Sequence, residues 1–299
     1  MTIAFSIFRK FSQHMSIPRF VVQLTVAAIV AGLSVLPMTA QADLTLTFGT
    51  YAADKPTDTV RKYRPFLTFL AEQMSVDLGE TVTIKMKIAK EYDVGIDQLA
   101  SGEVDFARFG PASYVHVVER NSGVQLVTME SKNGGKRFKG VIVVHADSDL
   151  QSLDQLSGRS FAFGDELSTI GRYLAQSHLL EAGISSAELQ SFEYLGRHDL
   201  VGEAVGAGRF AAGALKESTY KKLVAKGVPI RVLLSFDNVT KPWLASADVS
   251  PRVVTAMRRV MLASENEEIV RQISKNGFLE GTDADYDFVR RAMAQSNLF

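Results

Sequence analysis

Cysteine is absent from the 299 residues, which excludes disulfides, thiolate metal sites, a catalytic thiol and the acylated cysteine of a bacterial lipoprotein. An excess of charge is absent too, since Lys+Arg and Asp+Glu number 33 each. No global basic field therefore draws the chain to nucleic acid or an anionic membrane, and any anion recognition has to be local. Histidine is scarce, five in all, and no pair has the H-x-x-x-H or H-E-x-x-H spacing that sets two imidazoles on one helix face for a metal. There is no G-x-S-x-G elbow, no P-loop, and no G-x-G-x-x-G after a strand. Gly206-Ala207-Gly208 stands at a helix end and reads as a C-cap. These absences leave an enzyme unsupported and call for neither cofactor nor metal.

What is present begins with a leader. Arg9, Lys10 and Arg19 precede an apolar run over 20–36, which ends in Pro37-Met38-Thr39-Ala40-Gln41-Ala42, a small-x-small cleavage pattern. The expectation is a secretory signal peptide over 1–42, cut after Ala42, which puts the protein in the periplasm. An uncleaved anchor is the alternative, although the run is short for a membrane span and is interrupted by Gln23 and Thr25.

From Asp43 onward strands and helices alternate. Period-two patterns predict strands over 44–49 and 81–88, and helical spacing predicts helices over 59–74 and 92–100, with a short strand at 104–109. A second run follows: strands at 141–144 and 160–163, a helix over 169–182, a strand near 192–195, a helix at 200–207 and strands at 210–215 and 231–236. Helices at 251–263 and 283–294 fill the tail after Pro242. The two runs also match without a gap, from Tyr92-Asp93-Val94-Gly95 to Ser113-Tyr114 and from His198-Asp199-Leu200-Val201 to Thr219-Tyr220. That parallel fits either an internal repeat or two βαβ units arrived at independently. The expected class is α/β in two lobes, each a sheet flanked by helices: 43–138 completed by 240–299, and 139–239 inserted between hinge strands.

Ligands of open α/β sheets gather at the carboxyl ends of strands, where helix N-termini present free N–H groups. Phe109-Gly110-Pro111-Ala112-Ser113-Tyr114 and Phe163-Gly164-Asp165-Glu166-Leu167-Ser168-Thr169 both have this form, one in each run. Ser168 and Thr169 read either as a helix cap or as hydroxyl donors to an oxyanion. His198 opens a helix and reads as a cap, a surface residue or a cleft donor, while Tyr51 follows the first strand as a wall or as loop packing. Arg108 and Arg197 are candidate counter-charges, and Arg258-Arg259 reads as a solvated helix face.

Taken together, these segments resemble the periplasmic components of phosphate, phosphite and phosphonate ABC transporters. The likeness also rests on Gly102-Glu103-Val104-Asp105-Phe106-Ala107, Val141-Ile142-Val143-Val144, Leu153-Asp154-Gln155-Leu156-Ser157-Gly158, and Gly196-Arg197-His198-Asp199. The resemblance implies a type II periplasmic binding protein, a Venus-flytrap fold that closes on a small anionic ligand and then engages a membrane permease. It implies that Ser168, Thr169 and His198, with Tyr51 and Tyr114 from the first lobe, form the ligand site; the hydroxyl of Ser113, in the first turn of its helix, is expected at the same place, and the protein is expected to be a monomer. Two departures stand out: Glu166-Leu167 and Ile170 replace family residues around the hydroxyl pair, and Ala211 stands where the family often has Asp. A divergent member of this kind is also compatible with a sensing role beside a membrane kinase or cyclase.

Overall fold

The computed structural model describes residues 43–53, 56–264 and 267–299. The expected leader and its cleavage point lie outside them. In chain order the elements are β1 (Asp43–Tyr51), α1 (Pro56–Leu78), β2 (Thr81–Ala89), α2 (Tyr92–Ala100), β3 (Phe106–Arg108), α3 (Pro111–Arg120), β4 (Gln125–Glu130) and β5 (Arg137–His145). Then come β6 (Ser160–Phe163), a π-helical segment (Thr169–Leu174) running into α4 (Ala175–Glu181), β7 (Ser191–Tyr194), α5 (His198–Gly206), β8 (Ala212–Lys216), α6 (Glu217–Val224) and β9 (Ile230–Val239). The chain ends with β10 (Pro242–Ala245), α7 (Pro251–Ala263), α8 (Glu268–Arg271), β11 (Phe278–Leu279) and α9 (Asp287–Ser296).

Two sheets result, ordered β11-β4-β10-β3-β1-β2 and β7-β6-β8-β5-β9. β1 runs parallel to β2 and β3, while β10 inserts antiparallel between β3 and β4. In the second sheet β6 is parallel to β7 and β8, and β5 is antiparallel to β8 and β9. The polypeptide crosses from the first sheet to the second over 131–136 and returns at 240–241.

Each sheet is covered on both faces, which is why its central strands are almost wholly apolar. Phe48, Phe106 and Trp243 pack with Phe66 and Met74 of α1 and Met257 of α7 on one face of the first sheet. Ile96, Leu99 and Val117 of α2 and α3 fill the other. In the second sheet Ile142, Phe161 and Phe163 pack on Leu174 and Leu179, and Val143 and Ala162 pack on Val201 and Val205 of α5.

The expected tail of helices is corrected by the structure, since residues 242–245 and 278–279 are strands of the first sheet. Pro242 hid β10: proline lacks a ladder donor and is tolerated here at the strand's first residue, where its carbonyl accepts from the Phe109 amide at 3.3 Å. The matching runs become α2-β3-α3 and α5-β8-α6, each with a left-handed glycine after the first helix, Gly102 at φ 77° and Gly208 at φ 72°. The C-terminal helix α9 packs against the π segment and α4; the Ser177 hydroxyl donates to Gln295 Oε1 at 2.7 Å and the Ser296 hydroxyl to Gln176 Oε1 at 2.5 Å. Arg258 is no solvated residue, because its guanidinium donates to the Val127 and Leu126 carbonyls at 2.9 and 2.8 Å.

Candidate functional site

The carboxyl ends of β1, β3, β6 and β8 carry Tyr51, Gly110, Gly164 and Lys216 toward one another. Between them lies a small cavity of about 20 Å³, lined by Tyr51, Tyr92, Gly110, Ser168, Thr169 and Ile170, and further by His198, Lys216, Asn238 and Lys241. It opens beside a larger cleft of about 690 Å³, which shares Tyr51, Phe138, Lys216 and Lys241 with it.

The first-sheet wall is tightly bonded. The Gly110 amide donates to the Tyr51 hydroxyl at 2.6 Å, and that hydroxyl also shares a hydrogen bond with Ser113 Oγ at 2.8 Å. Burial pushes the Tyr51 phenol up to about 12, with the Ser113 bond pulling the other way, so it stays protonated at neutral pH. The ring stacks on Tyr92 at 3.7 Å and on Phe109 at 5.1 Å. Ser113 is wholly buried and serves the site by holding Tyr51.

The second-sheet wall is the turn from β6 into the π segment. Gly164 N donates to Gly171 O at 2.8 Å, and Gly171 N donates to Ser168 Oγ at 3.0 Å. A side-chain carbon on Gly171 would lie 2.8 Å from Gly164 Cα, so only glycine lets these two backbones approach. The Thr169 hydroxyl reaches across and accepts from the Ala112 amide at 2.8 Å, a free N–H of the first turn of α3. His198, the first residue of α5, is buried, and its amide donates to Ala53 O at 3.4 Å.

Five of the six residues singled out from the sequence meet here: Tyr51, Ser168, Thr169 and His198 line the small cavity, with Ser113 behind Tyr51. Tyr114 does not. One residue further round α3, it packs on Tyr286 at 4.6 Å between ring centroids and donates to Asp283 Oδ1 at 2.8 Å. Neither arginine is a ready counter-charge, since Arg108 forms a bidentate pair with Glu130 at 2.7 and 2.9 Å and Arg197 one with Asp199 at 3.0 and 2.6 Å. Ala211 precedes β8, at the end of the sheet away from the cavity, where its amide bonds Ser160 Oγ at 3.1 Å. Its substitution therefore leaves the site untouched, whereas Ile170, the other departure beside the hydroxyl pair, lines the cavity.

Tyr92, Lys216, Asn238 and Lys241 were missed. A gap-free match of Tyr92 to His198 was the available signal: the first residues of equivalent helices line the same cavity from opposite sheets. Asn238 is fully buried, and among the described residues nothing bonds either atom of its side-chain amide. Lys241 forms no ion pair among the described residues. Burial holds its ammonium well below the usual lysine range, and the positive charges of Arg108 and Lys216 push in the same direction. A half-buried cation and an unbonded buried amide at one cavity make a place for hydrogen-bond acceptors that carry negative charge.

The family model for the periplasmic substrate-binding protein of phosphonate ABC transporters matches residues 48–286. The chain belongs to this family. Its members bind a solute for transport and do not convert it, and this chain is such a substrate-binding component, with a periplasmic place of work. Among individual relatives, the phosphate-import protein PhnD of Mycolicibacterium smegmatis is 25% identical over 280 residues, covering 82% of this chain and 84% of that one. The fold is that of PhnD1 from Prochlorococcus marinus, solved with methylphosphonate, at a TM-score of 0.75 and 20% identity, over 85% of this chain and 99% of that one. A binding component of an ABC phosphonate transporter from Pseudomonas aeruginosa superposes at 0.73 with 15% identity, over 86% and 87%. The two-lobed type II binding-protein fold expected from the resemblance is therefore the fold of the chain.

Proposed function

We propose that the chain captures a phosphorus oxyanion (phosphate, phosphite or a phosphonate) at the small cavity and delivers it to an ABC permease. The observation that carries this reading is Asn238, whose unbonded, fully buried amide faces the same cavity as Lys241 and the Ser168-Thr169 turn. An unsatisfied buried amide costs about 1–3 kcal/mol, a cost that a bound oxyanion offsets. Tyr51, Ser168, Thr169 and His198 are the direct contacts, joined by Asn238 and Lys241, and Ser113 positions Tyr51.

The cavity of about 20 Å³ has room for little more than one water-sized sphere, about 10–15 Å³ each, so the lobes separate to admit the ligand and close again around it. Residues 43–138 with 240–299 and residues 139–239 are the moving lobes, turning about 131–136 and 240–241. The working protein is a monomer that starts at Asp43 after cleavage behind Ala42. Membership of a transporter family favours uptake over the sensing role. Thermal-shift and calorimetric titration with phosphate, phosphite, methylphosphonate and sulfate test the reading. Stabilisation by a phosphorus oxyanion that Asn238→Leu abolishes supports it, and no response to any of them sinks it.

A further inference from the structure

The larger cleft next to this cavity is one-sided in charge. Ten of its lining residues are Lys or Arg and three are Asp or Glu. All three acids are already bonded: Asp58 to Arg61 at 3.4 Å, Glu130 to Arg108, and Glu217 to Lys221 at 2.8 Å. Lys62 and Lys241 have no carboxylate partner among the described residues, and Lys62, Arg108, Lys216 and Lys222 lie close enough to feel one another's charge. Burial and these neighbours lower the Lys62 ammonium to about 8. Two further buried hydroxyls on the floor, Ser131 Oγ and Thr240 Oγ1, bond nothing among the described residues. The chain as a whole carries no net charge, so this concentration of cations is local to the cleft.

A phosphate-sized anion fills only the small cavity. The cleft holds about 690 Å³, within the roughly 300–1,000 Å³ usual for sites that enclose an organic molecule. Arg61, Arg108, Lys139 and Arg271 pair with Asp58, Glu130, Asp237 and Glu268, but the remaining cations outnumber the acids, and their charge is compensated only when something negative enters.

We propose that the ligand is an organic phosphate or phosphonate carrying a second anionic group, its phosphoryl end in the small cavity beside Lys241 and its distal anion on Lys62 and Lys222. This rests on the reading of the small cavity as the oxyanion site. It also means that a distal ammonium is rejected, since among the described residues no unbonded carboxylate lines the cleft.

The test is calorimetric titration of the protein, produced from the full chain and purified from the periplasm. The ligands are methylphosphonate, 2-aminoethylphosphonate, 3-phosphonopropionate, 5-phosphonopentanoate and fructose 1,6-bisphosphate. At least one of the three ligands with a second anion is expected to bind tenfold or more tightly than methylphosphonate, with 2-aminoethylphosphonate weaker than methylphosphonate. Lys62→Met and, separately, the exposed Lys222→Met are expected to weaken the doubly anionic ligand at least fivefold more than methylphosphonate. Melting curves of both variants establish that they fold. If methylphosphonate binds and none of the three is tighter, or if both variants weaken all ligands equally, the second subsite is wrong while the oxyanion site stands. If methylphosphonate, phosphate and phosphite all fail to bind, both readings fall together.

Discussion

The hydroxyl of Thr169, on the second sheet, accepts a hydrogen bond from the backbone amide of Ala112, on the first, at 2.8 Å. Both groups are buried, and the bond joins a helix N-terminus of one lobe to the turn of the other at the point where the ligand is proposed to sit. Thr169→Val keeps the shape and removes the acceptor. Leaving a buried N–H unbonded costs about 1–3 kcal/mol, so urea unfolding should show a loss of that size. Oxyanion affinity should fall at least tenfold by calorimetry. An unchanged midpoint would mean that water replaces the hydroxyl.

Gly171 and Gly164 touch backbone to backbone. In Gly171→Ala the new carbon would lie 2.8 Å from Gly164 Cα and 3.0 Å from Ser168 Oγ. The turn has to shift, at a cost of about 1–3 kcal/mol, as in other overpacked sites. Ligand affinity should drop with it, because the same shift displaces both hydroxyls. A variant with native stability and affinity would refute this account of the turn.

Tyr51→Phe tests the first-sheet wall. Its ring keeps the stack on Tyr92, but the Gly110 amide and the Ser113 hydroxyl lose their common partner. A stability loss of about 1–3 kcal/mol is expected from the buried amide. The double variant Tyr51→Phe/Ser113→Ala should lose little more than the single one, since both act on one network. Additive losses would show that Ser113 does independent work.

Ligand affinity should fall as pH rises through about 8. Lys62 ionises there rather than at its usual 10.5, and its charge, present below that pH, is lost above it. An anion that binds beside Lys62 favours the charged form, so binding at pH 8 should take up protons, seen as a binding enthalpy that varies with buffer. Lys62→Met should reduce that dependence on buffer, leaving the share that comes from Lys241.

Asp165 contributes a pH dependence of stability. Burial raises its carboxyl to about 6 from 3.8, with the nearby carboxylates Glu166, Glu91 and Asp93 adding to the effect. Because the folded value lies above the unfolded one, the native state holds more protons between pH 4 and 6. This group therefore costs stability above pH 6 and releases that cost as pH falls toward 4. Asp165→Asn, whose Oδ1 can still accept from the Leu167 amide as Asp165 does at 2.8 Å, should be more stable than the parent at pH 7. The advantage should vanish near pH 4. Parallel unfolding curves of the two proteins over this range would contradict the assignment.

The elements were largely legible because their signals are local. Strand and helix patterns at 92–100, 160–163 and 251–263 match α2, β6 and α7, and Gly102 and Gly208 mark the ends of equivalent helices by backbone freedom alone. The turn chemistry of Gly110-Pro111 and Ser168-Thr169 likewise pointed to one end of each sheet. What failed locally was whatever depends on a distant partner. β10 reads as a strand only once Trp243 is seen stacked on Phe48 at 5.3 Å, and Tyr114 leaves the cavity because Tyr286 and Asp283 hold it elsewhere. The arginines looked like counter-charges until their own acids, Glu130 and Asp199, were in view.

The sequence by itself determined the alternation of strands and helices, the two matching runs, the family and the hydroxyl turn, because these rest on periodicity and near-neighbour chemistry. Only the tertiary structure decided which lysines matter. Lys62, Lys216 and Lys241 come from an early helix, a strand end and a crossing segment, and nothing in their spacing relates them. Folding brings them to one cleft, the place proposed for the ligand's negative groups, and there burial lowers the ammonium groups of Lys62 and Lys241, which no linear pattern encodes.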